Sequence, residues 1–238
     1  MRADHDIPPT SPPAPSSIHV FAATLDLPDE ALTTARTLLS PDEKARADRF
    51  LRREDRARFT AARAWLRRVL AAHLGETPES LAFAYGEQGK PTLSAPRRID
   101  FNLAHSGPHA LLAISPGFPI GIDVEEEREI EEKVAERFFS SAEIRALEAH
   151  RGTAWRSAFF RCWTRKEAYL KALGSGLATP LDGFTVSLDA GDARLLAIRD
   201  APREASEWQM ADLAPIPGLA GALAARTRGW TILHPHAR

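Results

Sequence analysis

The sequence predicts an α+β fold of two similar halves, each a long helix packed on a small, mainly antiparallel sheet. Three observations predict it. Two long segments carry apolar residues at helical spacing, short apolar runs are bounded by glycine and proline, and the elements follow the same order in both parts of the chain. The 238 residues are 44% hydrophobic and 26% charged, which is typical of a folded globular protein.

The N-terminal residues 1–17 contain five prolines and lack the apolar stretch of a signal peptide. We expect a disordered tail there, because the segment has almost nothing to bury. The longest uncharged run, Phe101–Ile122, is too polar and proline-rich for a membrane helix, and a net charge of −1 argues against a nucleic-acid-coating protein. The single cysteine, Cys162, excludes an intrachain disulfide, so a cytoplasmic location is expected.

The first half begins with a predicted strand at Ile18–Ala23 and continues into a basic helix. Ser40 is a suitable N-cap residue, Glu43 has capping-box spacing, and Gly75 marks the end of this single long helix. Three further strands are predicted at Leu81–Tyr85, Ile99–Leu103 and Ala110–Ile114. The run Pro116–Pro119 predicts a connection and a domain boundary.

The second half follows the same plan. Ile120–Glu125 is a predicted strand, Ser140 and Glu143 have capping-box spacing, and Trp155–Leu173 is a long helix ended by glycine. Four more strands are predicted at Phe184–Leu188, Arg194–Ile198, Trp208–Leu213 and Leu219–Ala225. We find no residue-by-residue repeat between the halves in the sequence itself.

Local charge is uneven although the total nearly cancels. Residues 44–68 contain ten basic and three acidic side chains, whereas residues 123–132 contain seven acidic side chains and one arginine. The pattern suits a polyanion held with a metal ion, and it equally suits two solvated faces.

The segment Ile120–Glu125 is the most informative local pattern. Because side chains alternate on a strand, Ile120, Ile122 and Val124 should point into the core while Asp123 and Glu125 emerge together opposite. Gly121 would leave room beside them for a ligand. Two carboxylates this close favour a hard divalent cation, and the alternative is an edge strand with a merely polar outer face.

Three further features carry candidate chemistry: the pair Glu167 and Lys171, the loop residue Lys90, and His105. Glu167 and Lys171 lie four residues apart, either as a surface ion pair or as a metal ligand or base beside a phosphate clamp. Lys90 lies between Gly89 and Pro91 in a stiffened loop and could meet a phosphate. His105 follows a predicted strand, where it is either a ligand contact or a satisfied structural histidine.

The four motifs taken together, in this order, resemble those of the 4'-phosphopantetheinyl transferases, of the longer type typified by the enzymes that activate surfactin synthetase. They are GKP at 89–91, FN-x-x-HS at 101–106, GIDVE at 121–125 and W-x-x-KEA-x-x-K-x-x-GSGL at 163–177. The resemblance covers about Ser40 to Val186 and includes Glu54-Asp55-x-x-Arg58.

The resemblance implies transfer of phosphopantetheine from coenzyme A to a serine of an apo acyl or peptidyl carrier protein, with release of adenosine 3',5'-bisphosphate. By motif, Asp123, Glu125 and Glu167 would hold Mg²⁺ against the pyrophosphate, and Mn²⁺ would also suit them. Lys171 would contact the pyrophosphate. Glu167 is also the first candidate for the base that deprotonates the serine, directly or through a metal-bound water.

The family's nucleotide contacts map onto the first half. Arg58, Lys90 and His105 would hold the 3'-phosphate and nucleotide, while Gly89 and Pro91 would shape the loop near adenine. The resemblance further implies a monomer of two pseudo-twofold-related halves, with coenzyme A in the cleft between them. Residues 18–117 would supply the nucleotide contacts and residues 118–238 the metal and pyrophosphate site.

Three residues depart from the family pattern. Ala104 stands where a serine is usual, Glu43 stands where a known member has lysine, and Phe59 follows Arg58 where a small hydroxyl residue can occur. These changes bear on the 3'-phosphate contacts and leave the predicted metal site whole.

Three other functions would use parts of the same residue pattern. A metal-dependent nuclease would also use acidic pairs and a lysine, but usually on one strand rather than four residues apart on a helix. A nucleic-acid-binding module would use the arginine-rich helix and would need no Mg²⁺. An inactive carrier-binding relative is disfavoured by the intact Asp123, Glu125 and Glu167.

Overall fold

The computed structural model describes residues 13–86, 89–174, 179–213 and 217–234. The helices are α1 (Asp29–Thr37), α2 (Pro41–Asp48), α3 (Arg53–Leu74), α4 (Lys133–Phe138), α5 (Ser141–Leu147) and α6 (Gly152–Leu173). The strands are β1 (Ser17–Thr24), β2 (Phe83–Tyr85), β3 (Pro91–Leu93), β4 (Asp100–Ser106), β5 (His109–Ser115), β6 (Ile120–Glu126), β7 (Phe184–Val186), β8 (Leu195–Ile198), β9 (Gln209–Leu213), β10 (Leu219–Ala225) and β11 (Thr231–Leu233). The predicted α+β class is confirmed.

The two halves repeat one topology. An antiparallel sheet in the order β1-β5-β4 is matched by a second in the order β6-β10-β9, and the hairpin β2–β3 after α3 is matched by β7–β8 after α6. The N–H of Leu25 donates to the Pro108 carbonyl, and the N–H of Glu127 donates to the Gly218 carbonyl at the corresponding place. This register equates β1 with β6 residue by residue, which the sequence alone did not show.

The basic segment forms two helices rather than the single predicted one. α2 ends at Asp48 and α3 begins at Arg53. The cause is tertiary, because the buried carboxylate of Glu43 accepts bonds from Arg63 and Arg67, both 2.7 Å away, on α3. The chain must therefore turn back between the two helices.

The second half repeats this arrangement. The capping box at Ser140 and Glu143 is present, as is the one at Ser40 and Glu43. Glu143 forms a buried ion pair at 2.7 Å with Lys166 on α6. Each long helix has 22 residues and ends at a left-handed glycine, as predicted. The short helices α1 and α4 were not predicted.

A common apolar layer joins the two sheets. Ile18 and Val20 enter it from the first sheet, and Ile122 and Leu223 from the second. The long helices cover the opposite faces, α3 on the first sheet and α6 on the second. The layers therefore run helix, sheet, sheet, helix.

Side chains of β4 bridge to the backbone of β6, and we call these bonds the side-chain rungs. The N–H of Ile120 donates to Asp100 (3.0 Å), that of Ile122 to Asn102 (2.8 Å) and that of Glu126 to Ser106 (3.1 Å). The rungs position the free edge of β6 without a backbone ladder. On β1, the corresponding edge is paired in parallel with β11, a strand that was not predicted.

Some predictions concern residues outside the described ranges. The expected tail at 1–17 falls there up to residue 12, and β1 begins at Ser17. The GSGL motif falls there from residue 175. The division into residues 18–117 and 118–238 stays a prediction, although β11 lies in the first sheet.

Candidate active site

Strand β6 lies directly against helix α6, and Gly121 permits this contact. A Cβ atom at position 121 would collide with the carbonyl oxygen of Ala168 and the amide nitrogen of Ala172, and would stand 2.9 Å from the carbonyl carbon of Lys171. A glycine in a strand often marks such a close approach of backbone. The expectation that Gly121 leaves room for a ligand is wrong, because the backbone of α6 fills that space.

Alternation along β6 places its two acids together. Ile120, Ile122 and Val124 are buried in the layer between the sheets, as predicted. Asp123 and Glu125 are therefore on the other face of the strand, the face that meets α6.

Asp123 is the most unusual titratable group of this cluster. Its side chain is buried; Lys171 Nζ donates to Oδ1 at 2.6 Å, while Oδ2 has no hydrogen-bond partner among the described residues. Burial raises the pKa of Asp123 to about 7 against the lowering effect of Lys171, and the charges of Glu125 and Glu167 raise it further. An orphaned carboxylate oxygen beside two other acids attracts a cation.

Lys171 reaches across to β6 rather than along its own helix. Its hydrogen bond goes to Asp123, and Glu167, one turn earlier on α6, is coupled to it electrostatically. Lys171 therefore neutralises charge between the two elements.

The two glutamates complete the acidic cluster. Glu125 Oε2 accepts a hydrogen bond at 2.8 Å from the hydroxyl of Ser106 at the end of β4. Burial raises the pKa of Glu167, Lys171 lowers it, and the charge of Glu125 raises it. Because each acid acts on the pKa of another, Asp123, Glu125 and Glu167 share one neighbourhood.

The donor chemistry of this cluster fits a hard divalent cation. Carboxylate oxygens are the ligands that Mg²⁺ and Mn²⁺ prefer, and Asp123 offers a buried oxygen that no other described residue hydrogen-bonds. Within the described ranges, however, no three Asp, Glu, His or Cys side chains are close enough to hold a metal ion as they stand. The cluster is a set of suitable ligands in one place and not a finished coordination shell.

His105 is part of β4, not of a loop after it, because the strand extends to Ser106. Burial lowers the pKa of its imidazole, as do the charges of Lys171 and Arg58, while Glu125 raises it. Near neutral pH the lowered pKa favours the neutral ring. His105 is therefore a neutral ring whose pKa responds to the charges of Lys171, Arg58 and Glu125.

Arg58 lies on α3 and is held by an acid that the sequence analysis did not single out. Its Nε and Nη2 donate to the two oxygens of Asp26 at 2.7 and 3.0 Å. Asp26 follows β1 and lies 32 positions away in the chain, so no local pattern could have revealed the pair. The bidentate bond fixes the orientation of the guanidinium.

The GKP motif forms part of the hairpin between β2 and β3. Gly89 has a φ of +76°, and Pro91 opens β3. Lys90 Nζ donates to the carbonyls of Ile120 and Lys171 at 3.1 and 3.2 Å. Lys90 thus ties the hairpin to the start of β6 and the end of α6, whereas Glu125 lies toward the other end of β6.

Two departures from the family pattern have structural explanations. Glu43 is only 1% exposed and its carboxylate is saturated by arginines, so it is a fold-stabilising residue. Ala104 is buried and lies on the face of β4 that carries the side-chain rungs, between Asn102 and Ser106. Ser106 is the last residue of the motif at 101–106, and the sequence predicts no role for its hydroxyl.

The comparisons with known proteins agree with one another. The profile of the 4'-phosphopantetheinyl transferase superfamily matches residues 119–224, and that of the 4'-phosphopantetheinyl transferase N-terminal region matches residues 28–117. The chain is 37% identical over 218 residues to 4'-phosphopantetheinyl transferase HetI of Nostoc sp., covering 90% of this chain and 89% of HetI. It is 32% identical over 152 residues to 4'-phosphopantetheinyl transferase Sfp of Bacillus subtilis, covering 64% and 67% of the two chains.

A solved structure is also similar. The holo-[acyl-carrier-protein] synthase of Thermotoga maritima has a TM-score of 0.37 at 25% identity, covering 47% of this chain and 64% of that one. None of the helices in the described part of the chain is long and apolar enough to cross a membrane.

Proposed function

The chain belongs to the 4'-phosphopantetheinyl transferase superfamily and is a transferase of this type, and we propose the following reaction for it. It moves 4'-phosphopantetheine from coenzyme A to a serine hydroxyl of an apo acyl or peptidyl carrier protein and releases adenosine 3',5'-bisphosphate. The reaction depends on Mg²⁺, for which Mn²⁺ can substitute. The observation that carries this proposal is the buried Asp123, held by Lys171 beside Glu125 and Glu167.

Asp123, Glu125 and Glu167 would hold the metal. Their charges oppose one another around the buried Asp123, which supports a cation there. A divalent ion held by these residues would supply positive charge against the pyrophosphate of coenzyme A. Asp123 would hold it through Oδ2, which has no hydrogen-bond partner among the described residues.

Lys171 would bind the departing phosphate. Its ammonium lies 2.6 Å from Asp123 Oδ1, so it is already at the acidic cluster. The side chain is partly exposed and can exchange the carboxylate for a phosphate oxygen. A fixed positive charge that meets developing negative charge stabilises the transition state.

Glu167 would accept the proton of the carrier serine. Burial raises the pKa of its carboxyl, which makes the ionised form a stronger base than an exposed glutamate. Because Glu167 is also a proposed metal ligand, the proton reaches it directly or through a bound water.

The first half would bind the nucleotide. Arg58 and His105 would hold the 3'-phosphate; the charges of Arg58 and of Glu125 both act on the pKa of His105, which supports a shared electrostatic environment. Lys90 would hold the nucleotide with them, and its bonds to two backbone carbonyls support its place in the hairpin. Gly89 and Pro91 would shape the loop near adenine. Residues 18–117 and 118–238 would then be two halves that enclose coenzyme A. The monomeric state and the cytoplasmic location stay predictions from the sequence.

One experiment tests the proposal directly. The purified chain is incubated with coenzyme A, Mg²⁺ and a panel of apo carrier proteins, and each carrier is weighed by mass spectrometry. We expect at least one carrier to gain the mass of phosphopantetheine on its serine, and EDTA to abolish the gain. A chain that binds coenzyme A but modifies no carrier, or one that works fully in EDTA, would contradict the proposal.

A further inference from the structure

One hydroxyl holds the ends of β4 and β6 together. Ser106 Oγ donates to Glu125 Oε2 at 2.8 Å and accepts the N–H of Glu126 at 3.1 Å. A serine hydroxyl has a single hydrogen, and a backbone N–H can only donate to its oxygen. The hydrogen is therefore left for Glu125, and the direction of both bonds is determined by the backbone.

The turn after Ser106 packs against the same place. Gly107 has a φ of +53°, and a Cβ atom there would stand 2.5 Å from Glu126 Oε1. The turn and the hydroxyl together fix the end of β4 against the end of β6. The N–H of Glu126 therefore holds the Ser106 hydroxyl at the end of β6.

We propose that Ser106 is a positioning residue that orients the Glu125 carboxylate toward the divalent cation. The inference rests on the proposed function. Holding one oxygen of a flexible glutamate removes rotamer freedom before the cation binds, so less entropy is lost on binding. Hydrogen bonds to ligating carboxylates commonly contribute to metal affinity in this way. Of the three side-chain rungs, Ser106 alone also bonds a predicted metal ligand.

The chain offers a matched control in Ser115. Its hydroxyl donates to the Phe118 carbonyl at 2.5 Å and accepts the N–H of Gly117 at 3.4 Å, so it also carries one donated and one accepted bond. Ser115 pairs with Asp100 at the opposite end of the β4–β5 pair from Ser106. A merely structural serine should behave like Ser115.

The test measures the affinity of the full-length chain for Mn²⁺, with coenzyme A present, by electron paramagnetic resonance of the free ion. We expect Ser106→Ala to weaken Mn²⁺ binding about tenfold. Ser106→Thr, which keeps the hydroxyl, and Ser115→Ala should stay within about twofold of the parent. The Mg²⁺ concentration for half-maximal turnover should rise with Ser106→Ala, and saturating Mg²⁺ should restore most of the rate.

Each outcome decides the matter. If the folded Ser106→Ala variant binds Mn²⁺ as the parent does, or if Ser115→Ala weakens binding equally, the role of Ser106 is wrong while the proposed function stands. If the parent binds no Mn²⁺, the metal part of the proposed function fails and this inference with it. Should circular dichroism show Ser106→Ala unfolded, the near-isosteric Ser106→Cys takes its place with the same expected loss.

Discussion

Asp123 should destabilise the metal-free protein increasingly as the pH rises. Its pKa is about 7 in the folded chain, against a model-peptide value of 3.8 for the unfolded chain. The folded state therefore retains a proton that the unfolded state loses between about pH 4 and pH 7. Integrating the two titrations, we expect Asp123 to lower the free energy of unfolding by roughly 2.5 kcal/mol more at pH 8 than at pH 5.

The variant Asp123→Asn removes this titration and keeps the shape of the side chain. We would measure the free energy of unfolding by urea titration in EDTA, for the parent and the variant, at pH 5 and pH 8. The variant's stability relative to the parent should rise by about that amount between the two pH values. Other titrating groups, such as His19 and His105 with their lowered pKa values, cancel in this difference.

Asp26→Asn is the matched control. Arg58 lowers the pKa of Asp26 by hydrogen bonding, so this acid is ionised in both states above pH 5. Its replacement should change stability equally at pH 5 and pH 8. If Asp123→Asn behaved like Asp26→Asn, with the same effect at both pH values, the conclusion that Asp123 holds a proton in its buried site would be wrong.

Three further predictions concern neighbouring residues. Lys171→Ala should lower kcat at least 100-fold while coenzyme A binding in EDTA changes little, because its charge matters most on the departing phosphate; equal turnover would remove its role. Gly121→Ala should cost about 3 kcal/mol or more in urea titrations, because the new Cβ meets only backbone of α6; a folded variant of parental stability would contradict the packing. Ala104→Ser should raise stability by about 1 kcal/mol, since the new hydroxyl would face the Val124 N–H in the gap between two rungs. Its affinity for coenzyme A should be equal or tighter, and a clearly weaker complex would show that the site cannot take the hydroxyl.

Elements with a strong local pattern were predictable from the sequence. The bounds of β10 match the predicted Leu219–Ala225, and α6 differs from its prediction only in its first turn, because alternation and helical spacing are local properties. The break between α2 and α3 was not predictable, since it is imposed by Glu43 meeting arginines 20 and 24 positions later. β11 has only three residues and exists because it pairs with β1.

The candidate site, too, was only partly predictable from the sequence. Asp123 and Glu125 could be placed on one face of a strand from their spacing alone. The burial of Asp123, its bond to Lys171 and the hydroxyl of Ser106 depend on how β4, β6 and α6 meet. The expectation for Gly121 is wrong for the same reason, because only the packed structure shows that the backbone of α6 occupies the space beside it.

The duplicated topology explains why one reaction centre, and not two, is expected per molecule. In the register that equates Leu25 with Glu127, the counterparts of Asp123 and Glu125 are Phe21 and Ala23, which offer hydrocarbon where the second copy offers charge. Strand β11 pairs with the edge of β1 that an equivalent site in the first half would need. The first copy therefore lacks the acidic pair, and the proposed metal site belongs to the second copy.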